Sequence, residues 1–230
     1  MSHTIYNLML DYADHIDMIN LSEQIPDPFE LERHIQESFS VFCKSFTECI
    51  EDDFSGAAID CFYNQKGVSS FCLSAEGTLE NLNNVSKLYK LKPANFPYEV
   101  QFLREAKPLG ELYELKTSIT NSNGQLVKVA DTKSIEIGFI PEPAGAIKVV
   151  VFYQGDSAFR FVTSEAKSVM NHSIGEYAYM SNITGLYIVP ANDSLVECER
   201  VRLKDIVMSY EKACWKIGIN PYPEIKLEFN

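Results

Sequence analysis

Apolar positions recur at helical spacing through the first fifty residues. After Thr4, which suits an N-cap, Ile5, Leu8, Met9, Tyr12, Ile16 and Ile19 follow one another at offsets of three and four and so share one helix face. Asp11, Asp14 and Asp17 fall on the other side. Asp27 and Pro28 open a second helix, because an aspartate caps free amide groups and a proline in the first helical position gives up an N–H that has no helical partner. Leu31, Ile35, Phe39, Phe42, Phe46 and Ile50 then make an apolar stripe, with Glu30, Glu37, Glu48 and Glu51 on the far side and Lys44 among them. The short connection from Gln24 to Pro28 makes the two helices antiparallel neighbours. Tyr12, Phe29, Phe39, Phe42, Phe46 and Phe54 are more aromatic surface than two helices can bury between them. The expectation is a helical pair, 1–56, packed on a sheet-rich part, 57–230, in a single domain.

Beyond residue 56 the period changes from helical to alternating. Ala57 to Tyr63 and Val68 to Leu73 flank Asn64-Gln65-Lys66-Gly67 and read as a hairpin, with Gly67 suited to a positive backbone angle. Leu79, Leu82, Val85, Leu88 and Tyr89 predict a helix near 78–91, ended by Pro93. A strand over 98–104 and a second hairpin, Leu112 to Thr120 and Gln125 to Ala130 around Asn121-Ser122-Asn123-Gly124, come next. Ile135, Ile137 and Phe139 alternate with polar or small residues, and Ile147 to Tyr153 is apolar on both faces, as a central strand is. Phe159, Phe161 and Leu186 to Val189 resemble strand material, and Ser164 to Met170 a short helix. A helix near 203–217 carries Leu203, Ile206, Val207, Tyr210, Ala213, Cys214 and Ile217, with Gly218 as its terminator. Ile225, Leu227 and Phe229 alternate as a last strand. Strands in hairpins between separated helices predict an α+β fold with a mainly antiparallel sheet.

Composition changes this picture little, but charge changes it more. Of 230 residues, 46% are hydrophobic and 23% charged, ordinary for a globular chain. The longest apolar run, Val149 to Tyr153, is far short of a membrane span. The start, Met1-Ser2-His3-Thr4, has no charged or apolar signal region, and the expectation is a cytoplasmic protein. Net charge is −12, and residues 1–60 hold thirteen acids against Arg33 and Lys44 alone. Nearly all the excess is therefore N-terminal. Such a field repels nucleic acid and anionic lipid and speeds encounter with a basic partner.

Chemistry-bearing patterns are sparse. Asp11 with His15 and Glu30 with His34 have helical i, i+4 spacing, but the carboxylate–histidine pattern of dinuclear helical sites uses i, i+3 pairs facing inward. No metal or other cofactor is expected. The six cysteines contain no CxxC pair, and Cys43, Cys49, Cys61 and Cys72 lie in or just after the acidic first sixty residues, in a negatively charged setting that opposes thiolate formation. Asn171, His172, Ser173 and Glu176 supply a base, a hydroxyl and an acid, set against the simpler reading of a polar loop. Phosphate loops, HExxH, the GxSxG elbow and basic stripes with aromatics are all absent.

What remains is the acidic face. Surface helix faces normally mix both signs, and a face this uniform costs stability through self-repulsion. The sequence points to a non-catalytic protein-binding module in which Asp11, Asp14, Asp17, Glu30, Glu37, Glu48, Glu51, Asp52 and Asp53 engage a basic protein surface, as an inhibitor, immunity or counter-defence protein does on a nuclease-like target. Two alternatives stand beside it: an enzyme without a recognisable motif using acid–base groups near His172, and a structural or adaptor subunit docking through the aromatic face of residues 29–50.

Overall fold

Asp27 accepts a hydrogen bond from the Phe29 amide at 2.9 Å, Pro28 follows it, and helix α2 runs Pro28–Ile50. This start matches the sequence reading. Helix α1 spans Ser2–Leu21, so Thr4 lies inside its first turn and is not the N-cap. Ile5 and Tyr6 are each 1% exposed, and their burial anchors that turn without a cap at Thr4. The computed structural model describes residues 2–21, 27–64, 67–107, 110, 116–120, 126–131, 136–153, 159–191 and 196–225. These fall into two compact units, Met1–Arg104 and Glu105–Asn230.

In the first unit, strands β1 (Ala58–Asn64), β2 (Gly67–Ser74) and β3 (Glu99–Phe102) form a sheet in that order. β1 and β2 make the expected antiparallel hairpin, while β3 runs parallel to β2. Parallel neighbours need a crossover. The stretch from the 3₁₀ turn Leu79–Asn81 through helix α3, Leu82–Lys90, supplies it. Helices α1 and α2 pack on each other and on β2 and β1. Tyr12 stacks on Phe42 with ring centroids 4.4 Å apart, Phe42 meets Phe71 of β2 at 6.3 Å, and Phe71 meets Tyr98 edge-on at 5.7 Å. The phenol of Tyr6 donates to the Leu88 carbonyl at 3.0 Å, which satisfies a polar group in the core.

The α2 stripe is buried only toward its C-terminal half. Phe42, Phe46 and Ile50 are in the core, whereas Leu31, Ile35 and Phe39 are half-buried and Phe29 is 81% exposed. Phe29 does not pack as expected, because two residues of helix turn it roughly 200° from Leu31 and off the stripe.

In the second unit, β4 (Lys116–Thr120) and β5 (Leu126–Asp131) pair antiparallel; the turn expected at 121–124 lies outside the described residues. β6 (Glu136–Glu142), β7 (Ala146–Tyr153), β8 (Ile183–Pro190) and β9 (Val201–Arg202) form a sheet of order β8-β7-β6-β9. β7 is interior, with Val149 to Phe152 buried on both faces, as its unbroken apolar run implies. β8 is parallel to β7, joined to it through helices α4 (Phe159–Ile174) and α5 (Glu176–Asn182). Phe159 and Phe161 therefore begin a helix and not a strand. The crossover that parallel pairing demands overrides their β propensity. After the 3₁₀ turn Leu203–Asp205, helix α6 covers Ile206–Lys216 and ends at Gly218, whose φ of +72° places it in the left-handed region. Of the last expected strand, all but Ile225 lies outside the described residues.

The fold is α+β; among the described residues the pairing is mostly antiparallel, with two parallel strand pairs. Among the described residues no helix is long and apolar enough to cross a membrane.

Candidate functional site

The antiparallel packing of α1 on α2 leaves a groove along their outer seam. Leu8, Asp11, Tyr12 and His15 line it from α1; Glu37, Ser38, Val41, Phe42 and Ser45 line it from α2, around a volume of about 390 Å³. His15 and Ser38 are hydrogen-bonded across the seam, Nε2 to Oγ, at 3.2 Å. That end of the groove is polar. Toward Leu8 the wall is apolar, and Val41 stands 67% exposed beside the carboxylates. Among the described residues neither Lys nor Arg lines the groove.

The nine acidic residues singled out by sequence do not behave alike. Glu30 and Glu37 both reach Arg33, at 4.0 and 3.9 Å, and Glu48 reaches Lys44 at 4.0 Å. Arg33 and Lys44 thus interrupt the row of carboxylates on the outer face of α2. Exposed helical pairs of this kind contribute about 0.3–0.5 kcal/mol. Asp11, Asp14, Glu51, Asp52 and Asp53 are exposed and have no ion-pair partner among the described residues. Asp17 departs from both groups. It is half-buried, and its Oδ1 is buried beside Gly67 with no hydrogen-bond partner among the described residues. The groove brings Asp11 and Glu37 together; it does not include the other seven.

Glu51, Asp52 and Asp53 follow the last turn of α2, where the unsatisfied carbonyls concentrate the negative end of the helix dipole. No basic residue occupies the last turn of either α1 or α2. Each such carboxylate costs about 0.3–1 kcal/mol relative to a favourable placement. Folding stability alone would not select them.

The hydroxyl of Tyr12, which lines the groove, is 2.6 Å from that of Tyr63 on β1, and desolvation raises the pKa of both phenols. Burial first, and then the charges of Asp60 and Glu76, push the Cys43 thiol up to about 12; Cys61 is raised for the same leading reason. All six cysteines are free. The Cys43 and Cys61 thiols are protonated at neutral pH and are poor nucleophiles.

Around His172 the structure replaces the polar loop with helix. Asn171, His172 and Ser173 close α4, and Glu176 opens α5 after Gly175. Asn171, Ser173 and Glu176 are buried. His172 Nδ1 lies 2.8 Å from the Ser168 carbonyl, which can only accept, so Nδ1 carries the proton. The Ser173 hydroxyl has no hydrogen-bond partner among the described residues, His172 included, so the two do not form a base–nucleophile pair. His15 and His34 are exposed with their acidic neighbours, and no group of three metal-ligating side chains occurs among the described residues. A further groove of about 440 Å³ in the second unit lies among β6, residues 197–199 and α6, where Lys212 pairs with Glu199 at 3.4 Å.

Sequence reasoning missed the groove walls: Leu8, Ser38, Val41 and Ser45. One signal was present, since Val41 is an apolar β-branched residue off the Leu31–Ile50 stripe and beside the acids. No family model, curated protein or solved structure matches this chain.

Proposed function

We propose that the protein is a non-catalytic binding module whose acidic N-terminal helical pair engages a basic protein surface. An inhibitor or immunity protein that covers the basic site of a nuclease-like enzyme is the kind of protein meant. The observation that carries this reading is the set of carboxylates without an ion-pair partner among the described residues, Asp11, Asp14, Glu51, Asp52 and Asp53, three of which stand against the dipole of α2. They cost stability and are solvent-facing, which suits a surface completed by a partner's cations. Exposed charge pairs add only about 0–1 kcal/mol each, so the charges act mainly on encounter rate and partner choice. Six free thiols suit the reducing cytoplasm, where such a protein would work. The aromatic face of α2 is a weaker docking element, because Phe42, Phe46 and Ile50 are already used in the core.

The test uses the protein as bait in lysate of its source cells, beside a variant carrying Asp11→Lys, Asp14→Lys, Glu51→Lys and Asp52→Lys. The expected result is a basic protein retained by the wild type, released as salt rises, and not retained by the variant. Identical retention by both baits would contradict the proposal.

A further inference from the structure

We infer that the groove between α1 and α2 receives one positively charged amphipathic α-helix of the partner protein, with an apolar side chain seated against Leu8, Tyr12, Val41 and Phe42, and flanking Lys or Arg at Asp11 and Glu37. This rests on the proposed basic-partner function and names the element of the partner that is recognised. Charge alone gives rate more than affinity, and so affinity must come from apolar burial. The groove is where exposed apolar surface and carboxylates coincide. Val41 is 67% exposed between acidic rims, and Met18, 64% exposed, continues the Asp11–His15 line one turn further along α1.

The shape of the site selects the occupant. Its walls are two antiparallel helices, whose backbone amides and carbonyls are satisfied internally, so an extended strand would find no edge to pair with. A third helix lying along the seam would pack as helices do on one another, at roughly 8–10 Å between axes. Its anchors at i, i+3 or i+4, and i+7 match the spacing of the exposed positions on both walls. The volume of about 390 Å³ is at the small end for a ligand site and holds one or two large side chains. A second copy of this chain is disfavoured, because it would bring two acidic rims together. Nucleic acid is disfavoured for the same reason.

The test measures anisotropy of two labelled peptides, each about five turns long if helical. Both contain the same Leu and Lys residues. One places Leu at helical i, i+3, i+4, i+7 spacing, and its isomer scatters them so that no apolar face forms. Binding to the intact protein is measured at about 50 mM salt, where screening is modest. The amphipathic peptide is expected to bind about tenfold more tightly than its isomer, the worth of one well-buried apolar anchor. Val41→Asn, and independently Ser45→Gln, neither of which changes the charge of the groove, should remove that advantage while leaving the isomer's affinity and the circular dichroism melting curve unchanged. Equal binding of the two peptides, weakened equally by Asp11→Lys with Glu37→Lys, would overturn the helix-in-groove inference and leave the acidic-surface reading standing. Absence of binding by both peptides, or binding indifferent to that charge reversal, would overturn both.

Discussion

Asp17 shows how far one residue's environment can depart from its place on a helical wheel. It shares a face with Asp11 and Asp14, yet its carboxylate lies against Gly67, whose φ of +134° favours glycine and whose missing side chain leaves room for Oδ1. A methyl group there would meet that oxygen and the nearby backbone. Gly67→Ala is expected to lower stability by about 1–3 kcal/mol in chemical denaturation, from backbone strain and the clash together; an unchanged midpoint would contradict the placement of Asp17. Cys43 makes a separate prediction. With its pKa raised from 9.0 to about 12, the folded protein holds the neutral thiol, and the associated stability is fully present below the unfolded value and lost as pH rises from 9.0 through about 12. Cys43 should therefore resist iodoacetamide at pH 8 in the folded protein and react readily in denaturant. Equal rates in the two states would count against its burial.

At the scale of elements, Arg104 holds the first sheet together beyond its hydrogen-bonded ladder. Its Nε and Nη2 contact the two Asp60 oxygens at 2.5 and 3.2 Å, and Nη2 reaches Glu76 at 2.8 Å, so a side chain just beyond β3 ties down β1 and the turn beyond β2. Its side chain is only 12% exposed. Arg104→Met is expected to cost about 1–3 kcal/mol, since it strands a partly buried carboxylate; the partial exposure of Asp60 and Glu76 keeps the loss below that of a fully buried pair. Thermal melting reads this directly. Elements set by local rules were legible in the sequence: Asp27-Pro28 starts α2, Gly218 ends α6, and the unbroken apolar run of β7 marks an interior strand. The parallel neighbours were not, because β2 with β3 and β7 with β8 pair across long sequence separations that no local period encodes. Phe159 and Phe161 were misread for the same reason. The acidic residues could be found by composition, but which were neutralised depended on side-chain geometry around Arg33 and Lys44. The groove walls depended on how α1 and α2 are set against each other, and only Val41, off the apolar stripe, hinted at them.

Across the whole molecule the charge is divided unequally, with the first sixty residues carrying nearly all of the net −12. Arg33 and Lys44 offset two of the three charges of Glu30, Glu37 and Glu48, whereas Asp11, Asp14 and the Glu51–Asp53 end of α2 have no ion-pair partner among the described residues. A field of this kind acts on diffusing partners over about a Debye length, roughly 10 Å at 0.1 M salt, and is screened as salt rises. The central claim is that this field exists to capture a basic protein. Its most direct test is the association rate constant for the co-purifying partner, measured by stopped flow as a function of ionic strength for the wild type and for the Asp11→Lys, Asp14→Lys, Glu51→Lys, Asp52→Lys variant. The account predicts a rate that falls steeply with salt for the wild type, and a lower, nearly flat dependence for the variant. Rates that are the same for both proteins and insensitive to salt would contradict it.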